Sequence, residues 1–400
     1  MENAKKILVI NCGSSSLKYE VYLMPSQESL GKGLVERIGE NEGHICQESA
    51  KGTYDLVTPI KDHQGAMELV AYALTDEKLG ILANIDEIEG VGHRVVHGGE
   101  DYSESVIINE DVIASIDRNS ELAPLHNPAN LTGIRESTKL LPNVKQVAVF
   151  DTAFHQTLPP AAYLYGIPHE FYDKFKIRRY GFHGTSHRYV ALKALEMCKR
   201  NASNTNIITC HLGNGASITS IMNGESVDTS MGFTPLAGLL MGTRSGDIDP
   251  SIVFFLMDRG YSSQDLNNIL NKKSGLLGMT GISNDLRDIE AAAENNDERA
   301  IEALDAYAYR VRKYIGSYSA NLVKVDILVF TGGVGQYGVK MRERICKRMQ
   351  NIGVHIDVQK NKEVGGKAGV ISEPYSPVTI VVMPTNEELQ IASDAFELIF

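Results

Sequence analysis

A strand, a glycine-containing turn and a second strand occur in the same order twice, about half the chain apart. The first copy spans Lys6–Met24 (KILVINCGSSSLKYEVYLM) and the second spans Ile207–Met222 (IITCHLGNGASITSIM). In each copy an apolar run precedes the turn and another apolar stretch follows it, which is typical of paired strands. Gly13 and Gly213 hold the same place in the two copies. The repeat predicts a duplicated α/β domain with a cleft between the copies.

A third junction of a strand with glycines runs from Ile327 to Gln336 (ILVFTGGVGQ), and a helical pattern, VKMRERICKRM, follows it. Further helices are predicted at Asn127–Leu140, Thr185–Lys199, Pro250–Arg259, Asp285–Val323 and Glu387–Phe400. The apolar run QVAVF ends at Phe150, where a polar loop begins. We therefore predict one domain of residues 1–150 plus a C-terminal helix at about 387–400, and a second domain of residues 151–386.

Length, charge and cysteine usage exclude several classes of protein. The chain has 400 residues, too many for one core, so two domains are expected. A net charge of −11 argues against a nucleic-acid partner, which calls for a basic face. No apolar run approaches the roughly 20 residues of a membrane helix. The apolar run in the N-terminal segment MENAKKILVI is also too short for a signal peptide. The five cysteines are scattered without C-x-x-C spacing, which favours a reducing cytoplasm over a disulfide framework or a zinc site.

The first glycine turn carries groups that suit a phosphate. Asn11, Ser14, Ser16 and Lys18 place an amide, hydroxyls and one cation beside backbone N–H groups. The alternative is an ordinary polar hairpin loop. The second turn, His211–Gly215 (HLGNG), is open to the same two interpretations, because Asn-Gly is a common hairpin turn.

Two familiar nucleotide motifs do not account for these turns. No G-x-x-x-x-G-K-[ST] sequence occurs, which excludes a P-loop NTPase. The segment 333–338 matches G-x-G-x-x-G after a strand, but too little chain remains beyond it for a dinucleotide-binding unit. A looser interpretation stays open, in which these glycines let the backbone approach a base or a phosphate closely.

Two arginines lie in unusual surroundings. Arg94 ends an apolar run before two glycines (GVGHRVVHGGE), and Arg244 lies among glycine, threonine and serine (MGTRSGDIDP). A guanidinium group can hold two oxygens of a carboxylate or phosphate at once. The alternative for each arginine is a buried ion pair.

Histidines and acids add weaker signals. His183 precedes a predicted helix that Thr185 or Ser186 would cap, and both it and His126 could donate to developing negative charge. The spacings of 93/97 and 183/187 would suit a metal on a helix, but neither pair forms H-E-x-x-H. Asp151 and Glu387 each follow an apolar strand, so they are candidate ligands for Mg²⁺, and Asp151 could instead orient a nucleophile or accept a proton.

Seven motifs together resemble the acetate kinase family. They occur in the family's order from about residue 6 to about residue 392, and they read NCGSSSLKY, GHRVVHGG, FDTAFH, RRYGFHGTSH, HLGNGAS, MGTRSGDIDP and PTNEEL. The resemblance implies duplicated ribonuclease-H-like (actin-like ATPase) domains with a nucleotide cleft between them. It also implies a homodimer that transfers a phosphoryl group reversibly between ATP and acetate, giving acetyl phosphate and ADP. The implied cofactor is Mg²⁺, with Mn²⁺ as a substitute, and the second domain would bind nucleotide and dimerise.

The resemblance assigns roles residue by residue. The implied catalytic residues are Asp151, His183, Arg244, Arg94 and His126. The implied pocket for the acetate methyl group contains Val96, Leu125, Phe182 and Pro235, beside Arg94. The implied nucleotide contacts are Ser14, Ser16, Lys18, His211, Leu212, Gly213, Asn214, Gly215, Asp285, Leu286, Arg287, Gly333, Val334, Gly335, Gln336 and Tyr337. The implied metal contacts are Asn11 and Glu387.

The chain departs from the family's usual pattern at one pair of neighbouring residues. The family usually has an acid followed by an amide where this chain has Gln336 and Tyr337, so the nucleotide preference is open.

A kinase for propionate or butyrate is the close rival to an acetate kinase, since one methylene changes specificity by only about 1–3 kcal/mol. An ATP-driven conformational protein and a sugar kinase are the others. Both leave the paired arginines without an anionic acceptor to hold.

Overall fold

The computed structural model describes residues 4–400, which form two compact units. Unit 1 comprises the described residues up to Phe154 together with Asn386–Phe400, and unit 2 comprises His155–Thr385. Residues 1–3, part of the segment considered for a signal peptide, lie outside the described residues. Asp151, which the sequence assigned to the second domain, lies in unit 1.

The regular elements are numbered in chain order. The strands are β1 Lys5–Cys12, β2 Ser16–Met24, β3 Glu28–Glu36, β4 Gly43–Ser49, β5 Gly52–Thr58, β6 Gly90–Val95, β7 Val106–Ile107, β8 Gln146–Phe150, β9 Ile207–Leu212, β10 Ala216–Met222, β11 Glu225–Thr229, β12 Ile327–Thr331, β13 Gly369–Val370 and β14 Thr379–Val382. The α-helices are α1 His63–Thr75, α2 Glu110–Arg118, α3 Asn127–Leu140, α4 Pro160–Tyr163, α5 Glu170–Phe175, α6 Gly184–Cys198, α7 Ser251–Met257, α8 Ser263–Lys272, α9 Gly275–Thr280, α10 Leu286–Glu294, α11 Glu298–Asn321, α12 Gly332–Tyr337, α13 Val339–Cys346, α14 Val358–Val364 and α15 Glu387–Ile399. None of these helices has both the length and the apolarity needed to cross a membrane.

Unit 1 is built on an eight-stranded sheet in the order β5-β4-β3-β2-β1-β6-β8-β7. Strands β1, β2 and β3 are antiparallel neighbours, whereas β1, β6 and β8 run parallel. The apolar run Ile7–Ile10 on β1 is fully buried, because this strand lies in the interior of the sheet under α3 and α15. The carboxyl ends of β6 and β8 therefore reach the same edge of the sheet.

Unit 2 contains a six-stranded sheet in the order β11-β10-β9-β12-β14-β13. Strands β9, β10 and β11 are antiparallel neighbours, and β9, β12 and β14 run parallel. Five strands of unit 1, β3-β2-β1-β6-β8, have the same order and directions as β11-β10-β9-β12-β14. This shared topology confirms the predicted duplicated α/β fold.

The predicted helices agree with the structure except at one long segment. A single helix was predicted over Asp285–Val323, but the structure has two, α10 and α11, which pack against each other. Between them Asn296 adopts a left-handed conformation (φ 62°), and the side chain of Asp297 accepts the backbone N–H of Ala300. Asparagine tolerates this conformation and aspartate is a strong helix cap, so the two side by side end one helix and begin another.

The C-terminal helix α15 packs closely on the sheet of unit 1 at a glycine. A Cβ atom on Gly92 of β6 would lie 2.6 Å from Cγ2 and 3.2 Å from the carbonyl oxygen of Ile391. The missing side chain thus lets the backbone of α15 approach the strand that also carries Arg94. Glu387, the first residue of α15, is held in unit 1 by the same packing.

We expect Gly92→Ala to destabilise unit 1 by about 1–3 kcal/mol, because overpacking forces the helix or its side chains to shift. The measurement is the midpoint of urea unfolding. Gly65→Ala on α1 is the matched control, since a Cβ there meets nothing closer than 3.8 Å. That change should be neutral or slightly stabilising. Equal midpoints for Gly92→Ala and the unchanged protein would contradict the close packing.

Candidate active site

The first glycine turn joins β1 to β2 and presents polar groups. The N–H of Gly13 donates to the carbonyl oxygen of Ser16 at 2.8 Å, and Ser15 accepts the N–H of Ile38 at 3.1 Å. These bonds set the shape of the turn. The side chains of Ser14 and Lys18 are exposed beside it, whereas Asn11 is half-buried at the end of β1.

Arg94 and Asp151 form an ion pair where β6 and β8 end. Nη2 of Arg94 lies 2.5 Å from Oδ2 of Asp151, and Nε lies 3.2 and 3.1 Å from the two carboxylate oxygens. Nη1 donates to Oδ1 of Asn11 at 3.3 Å. Asp151 is only 1% exposed, while the side chain of Arg94 is 25% exposed. The predicted alternative for Arg94, an ion pair, is therefore present in the structure, although the side chain is not completely buried.

A second carboxylate, Glu387, lies within the electrostatic influence of Arg94 and Asp151. Burial, followed by the negative charge of Asp151, raises the pKa of Glu387 to about 7, although Arg94 opposes the shift. For Arg94, burial alone would lower the pKa, but the two carboxylates outweigh it and the pKa is raised. Glu388 and Lys18 also act on Glu387, so three acids face two cations in this part of unit 1, an arrangement that favours a further cation.

Two asparagines that the sequence reasoning missed hold the segment after β6. Oδ1 of Asn130 accepts the N–H of Val96, and its amide donates to the carbonyl oxygen of Cys12 at 2.8 Å. Asn127 bonds both the N–H and the carbonyl oxygen of His97. Both asparagines are buried on the first turn of α3, and their i,i+3 spacing in NPANL was the available signal.

The second glycine turn joins β9 to β10 in unit 2, with the N–H of Gly213 donating to the carbonyl oxygen of Gly215. Asn214 extends the turn outward, since its carbonyl oxygen accepts the N–H of Gly242 and its Oδ1 accepts the amide of Asn284. The turn is therefore joined to the loop that carries Arg244. This linkage exceeds that of an isolated Asn-Gly hairpin.

His183, His211 and Arg244 come together around Gly215. The rings of His183 and His211 stack with centroids 4.3 Å apart. A Cβ atom on Gly215 would lie 3.4 Å from Nη1 of Arg244 and 3.5 Å from Nε2 of His183. The glycine thus leaves the space into which both side chains are directed.

The backbone of His183 differs from the prediction. Thr185 or Ser186 was expected to cap α6, but the cap position is His183 itself, in a left-handed conformation (φ 58°), and the helix begins at Gly184. Non-glycine residues rarely adopt this conformation, and they do so most often where the surroundings compensate and function requires it. The turn directs the imidazole away from the helix and toward β10.

Arg244 has no acidic partner in the part of the chain that the structure describes. Its Nη1 lies 3.4 Å from the carbonyl oxygen of Pro235, and burial alone lowers its pKa. Gly246 and Gly275 both have a positive φ, and a Cβ atom on either would lie within 2.3 Å of a backbone carbonyl oxygen. Their missing side chains therefore allow the close backbone contacts that shape the Arg244 loop. The ion pair offered as the alternative to a binding role is present for Arg94 and absent for Arg244 among residues 4–400.

A cavity of about 480 Å³ lies beside the second and third glycine junctions. It is lined by Gly213, Asn214, Leu276, Asn284, Asp285, Leu286, Arg287, Glu290, Gly333, Val334, Tyr337 and Gly338. Eight of these were assigned by sequence to the nucleotide. Asp285 caps α10 and pairs with Arg287, which lowers the pKa of Asp285 to about 2.

The remaining predicted nucleotide contacts do not line this cavity. They are His211, Leu212, Gly215, Gly335 and Gln336 in unit 2, and Ser14, Ser16 and Lys18 in unit 1. Leu212 is fully buried, and the amide of Gln336 donates to the carbonyl oxygen of Gly366. Tyr337, which replaces the family's amide, is 68% exposed and lies against Gly366, where a Cβ would be 2.4 Å from its ring.

A fully buried arginine supports the third junction, and the sequence reasoning did not single it out. Nη1 of Arg342 donates to the carbonyl oxygens of Gly335 at 2.9 Å and Gln336 at 2.6 Å. Its Nε and Nη2 donate to Asn361 Oδ1 and the carbonyl oxygen of Gly365. Burial lowers the pKa of Arg342 to about 10. The arginine therefore holds the backbone immediately before Tyr337 in place.

The predicted methyl pocket is divided between the units. Val96 is buried and Leu125 is 72% exposed in unit 1, whereas Phe182 is buried and Pro235 half-buried in unit 2. His126 is exposed at the start of α3. His93 lies on strand β6, where it bonds Gln146, so the spacing of 93 and 97 does not place two ligands on a helix.

The predicted magnesium contacts were tested by their chemistry. Within residues 4–400 there is no group of three or more His, Cys, Asp or Glu side chains that could hold a metal ion. Asn11 and Glu387, with Asp151 nearby, nevertheless form an all-oxygen set with two acids. Mg²⁺ is typically bound by one or two carboxylates together with waters and phosphate oxygens. The donor set and the raised pKa of Glu387 both fit such a cation.

The sequence and the structure were compared with known proteins. Residues 6–393 match the model of the acetokinase family. The chain belongs to this family. It is 52% identical to the acetate kinase of Thermotoga maritima over 98% of each chain. Among solved structures, the acetate kinase of Porphyromonas gingivalis superposes with a TM-score of 0.96 at 47% identity, over 99% of this chain and 100% of the other. A propionate kinase of Francisella tularensis superposes with a TM-score of 0.92 at 42% identity, over 98% of this chain and 100% of the other.

We expect Asp151→Asn to lower the pKa of Glu387 from about 7 toward its ordinary value. The change removes a negative charge that makes ionisation of Glu387 unfavourable, while burial continues to hold the pKa above normal. Carboxyl ¹³C NMR of the metal-free protein measures this pKa. Asp86→Asn, an exposed acid in unit 1, is the control and should leave it unchanged. A Glu387 that titrates near pH 4.5 in the unchanged protein would contradict the described electrostatics.

Proposed function

We propose that this protein is an Mg²⁺-dependent acetate kinase, which transfers a phosphoryl group between ATP and acetate. The observation that carries the proposal is Arg244, a half-buried guanidinium without a carboxylate partner in the described chain, beside His183 and a glycine turn. Such a group is placed to bind an anion that comes from outside the protein. The family match supplies the reaction type.

The reaction brings two anions together, and the assigned residues reduce their repulsion. An acetate oxygen forms a bond to the γ-phosphorus of ATP while the bond to the β–γ bridging oxygen breaks, and ADP leaves with that electron pair. Arg94 and Arg244 neutralise charge on the acetate and the transferring group, and His183 donates a hydrogen bond to it. Acetate has already lost its proton at neutral pH, so no general base is required.

Asp151 and Glu387 act through the metal in this proposal. Glu387 and Asn11 would hold Mg²⁺, with Asp151 orienting its water, and the ion would neutralise charge on the phosphates. Asp151 also fixes the guanidinium of Arg94 through the 2.5 Å contact. Its role is therefore orientation rather than proton transfer.

The 480 Å³ cavity is the proposed site for the adenosine of ATP. Its apolar lining from Leu276, Leu286, Val334 and Tyr337 suits a flat base, and Gly213 and Gly333 line it without side chains that would restrict access to the backbone. The substitution of Gln336 and Tyr337 for an acid and an amide places a tyrosine on the lining of this cavity, whereas Gln336 does not line it. The phosphate and acetate groups are assigned elsewhere, so the substitution affects base preference and not the reaction type.

Acetyl phosphate formation from acetate and ATP, trapped as the hydroxamate, tests the function. The unchanged protein should form it only with Mg²⁺, and with higher kcat/KM for acetate than for propionate or butyrate. Arg244→Gln should lower kcat about a thousandfold, because the charge that it stabilises develops in the transition state. Arg310→Gln, an exposed arginine on α11, is the matched control and should be near normal.

Other results would overturn the assignment. ATP hydrolysis that is indifferent to acetate would favour an ATP-driven conformational protein, and a higher kcat/KM for propionate would make it a propionate kinase. Asp151→Asn should lower the rate together with the affinity for Mg²⁺. An unchanged metal dependence alongside a collapsed rate would count against the orienting role of Asp151.

We also propose a homodimer formed through α7 and the residues after it. Ile252, Phe254, Phe255, Met257 and Tyr261 are all exposed there, between 44% and 67% of their surface. Exposed apolar side chains that are concentrated in one short segment are typical of a protein interface. A second copy of the chain is the occupant that the family resemblance implies, and the cytoplasm is the compartment that its cysteine usage favours.

Light scattering after size exclusion should give twice the mass of one chain. Phe254→Glu should give a monomer, because it would bury a charge in the interface. Leu192→Glu, on the exposed side of α6, is the control and should stay dimeric. A monomeric unchanged protein at micromolar concentration, or a dimeric Phe254→Glu, would reject this surface.

A further inference from the structure

A chain of hydrogen bonds leads inward from His183. Nδ1 of His183 lies 2.9 Å from Oγ of Ser217 on β10. The same Oγ lies 2.7 Å from Nε2 of His187, and Nδ1 of His187 lies 2.7 Å from Oγ1 of Thr209 on β9. Ser217, His187 and Thr209 are completely buried. The antiparallel pairing of β9 and β10 and the first turn of α6 bring these groups into line.

The number of available protons decides the direction of these bonds. Burial, followed by the nearby His155 and His211, lowers the pKa of His187 well below its ordinary value, so the ring is neutral and carries one N–H. The hydroxyls of Ser217 and Thr209 carry one proton each. Among residues 4–400, Thr209 Oγ1 has no hydrogen-bond partner other than His187.

Only one direction uses every proton. If His187 donated from Nδ1 to Thr209, the buried hydroxyl proton of Thr209 would have no acceptor in the described chain, at a cost of about 1–3 kcal/mol. In the opposite direction Thr209 donates to Nδ1 of His187, Nε2–H of His187 donates to Ser217, and Ser217 donates to Nδ1 of His183. A neutral His183 that accepts at Nδ1 carries its own proton on Nε2.

We infer that Ser217 and His187 are positioning residues that keep a proton on Nε2 of His183, so that this nitrogen donates to the transferring phosphoryl group. The inference rests on the proposed function for the identity of that group. Nε2 is the atom that lies 3.5 Å from the Cβ position on Gly215, next to Nη1 of Arg244. An oxygen bound at Arg244 would therefore meet a donor and not a lone pair.

Several charged and titratable groups lie around His183 in unit 2. His211 stacks on its ring and bonds Ser186 through Nδ1, and His187 lies behind Ser217. His155 packs against His187 with ring centroids 5.8 Å apart, and Arg244 lies across Gly215. A second proton on His183 would add a positive charge beside the guanidinium. The choice of tautomer matters for the neutral ring, which carries one N–H on one of its two nitrogens.

Ser217→Ala removes the bond that selects the tautomer and tests the inference. The ratio of kcat/KM for the unchanged protein to that of the variant should rise between about pH 6 and about pH 9, to tenfold or more. At acidic pH a protonated His183 carries an N–H on both nitrogens and needs no selection. Taking the ratio cancels the titration of Glu387, which both proteins share.

Two further variants separate positioning from packing. Ser220→Ala is the matched control, because Ser220 is buried on the same strand and its Oγ has no hydrogen-bond partner among residues 4–400. It should give a ratio that does not change with pH. Ser217→Thr keeps a hydroxyl and should restore the rate above neutral pH. A pH-independent loss for Ser217→Ala, matched by Ser220→Ala, would overturn the inference.

The tautomer can be measured without catalysis. In protein labelled with ¹⁵N-histidine, the NMR shifts of His183 should show a protonated Nε2 and an unprotonated Nδ1 above neutral pH, and Ser217→Ala should mix the two tautomers. A proton on Nδ1 in the unchanged protein would overturn the inference even if acetate kinase activity is present. Lack of that activity alongside the expected shifts would instead reject the proposed function and leave the tautomer assignment standing.

Discussion

The ion pair between Arg94 and Asp151 is the interaction on which the chemistry of unit 1 depends. A carboxylate that is 1% exposed needs a cation nearby, and the parallel pairing of β6 with β8 supplies one at the same edge of the sheet. Because Asp151 holds Nε and Nη2, the guanidinium is fixed in orientation with Nη1 toward Asn11. Burial, followed by the negative charge of Asp151, then raises the pKa of Glu387 to about 7.

The absence of side chains at a few glycines has a comparable role in unit 2. Gly215 leaves room for His183 and Arg244 on one side of the second turn, and Gly246 and Gly275 allow backbone contacts that shape the Arg244 loop. The arginine is thereby partly desolvated without an acid to neutralise it. The arginines of the two units therefore differ, since Arg94 is paired with a carboxylate of the chain and Arg244 has no such partner among the described residues.

Much of the fold could be predicted from the sequence, because local patterns specify local elements. The bounds of α3 agree with Asn127–Leu140, and α15 and the paired strands around Gly13 and Gly213 also follow the apolar periodicity. The failures occurred where a side chain acts on the backbone. The break at Asn296 depends on a left-handed residue followed by a cap, and the left-handed His183 moved the start of α6 from its expected cap. Helical periodicity does not report either event.

By itself, the sequence determined the duplicated strand–turn–strand architecture, the family and the identity of the charged residues, since each is written in contiguous motifs. Only the tertiary structure decided which of the two arginines is neutralised, because that depends on strands β6 and β8, which are separated by fifty residues of chain. The same holds for Asn130, Arg342 and the chain from Thr209 to His183. Their roles come from hydrogen bonds between distant segments, and a buried polar group shows its function only when its partners are known.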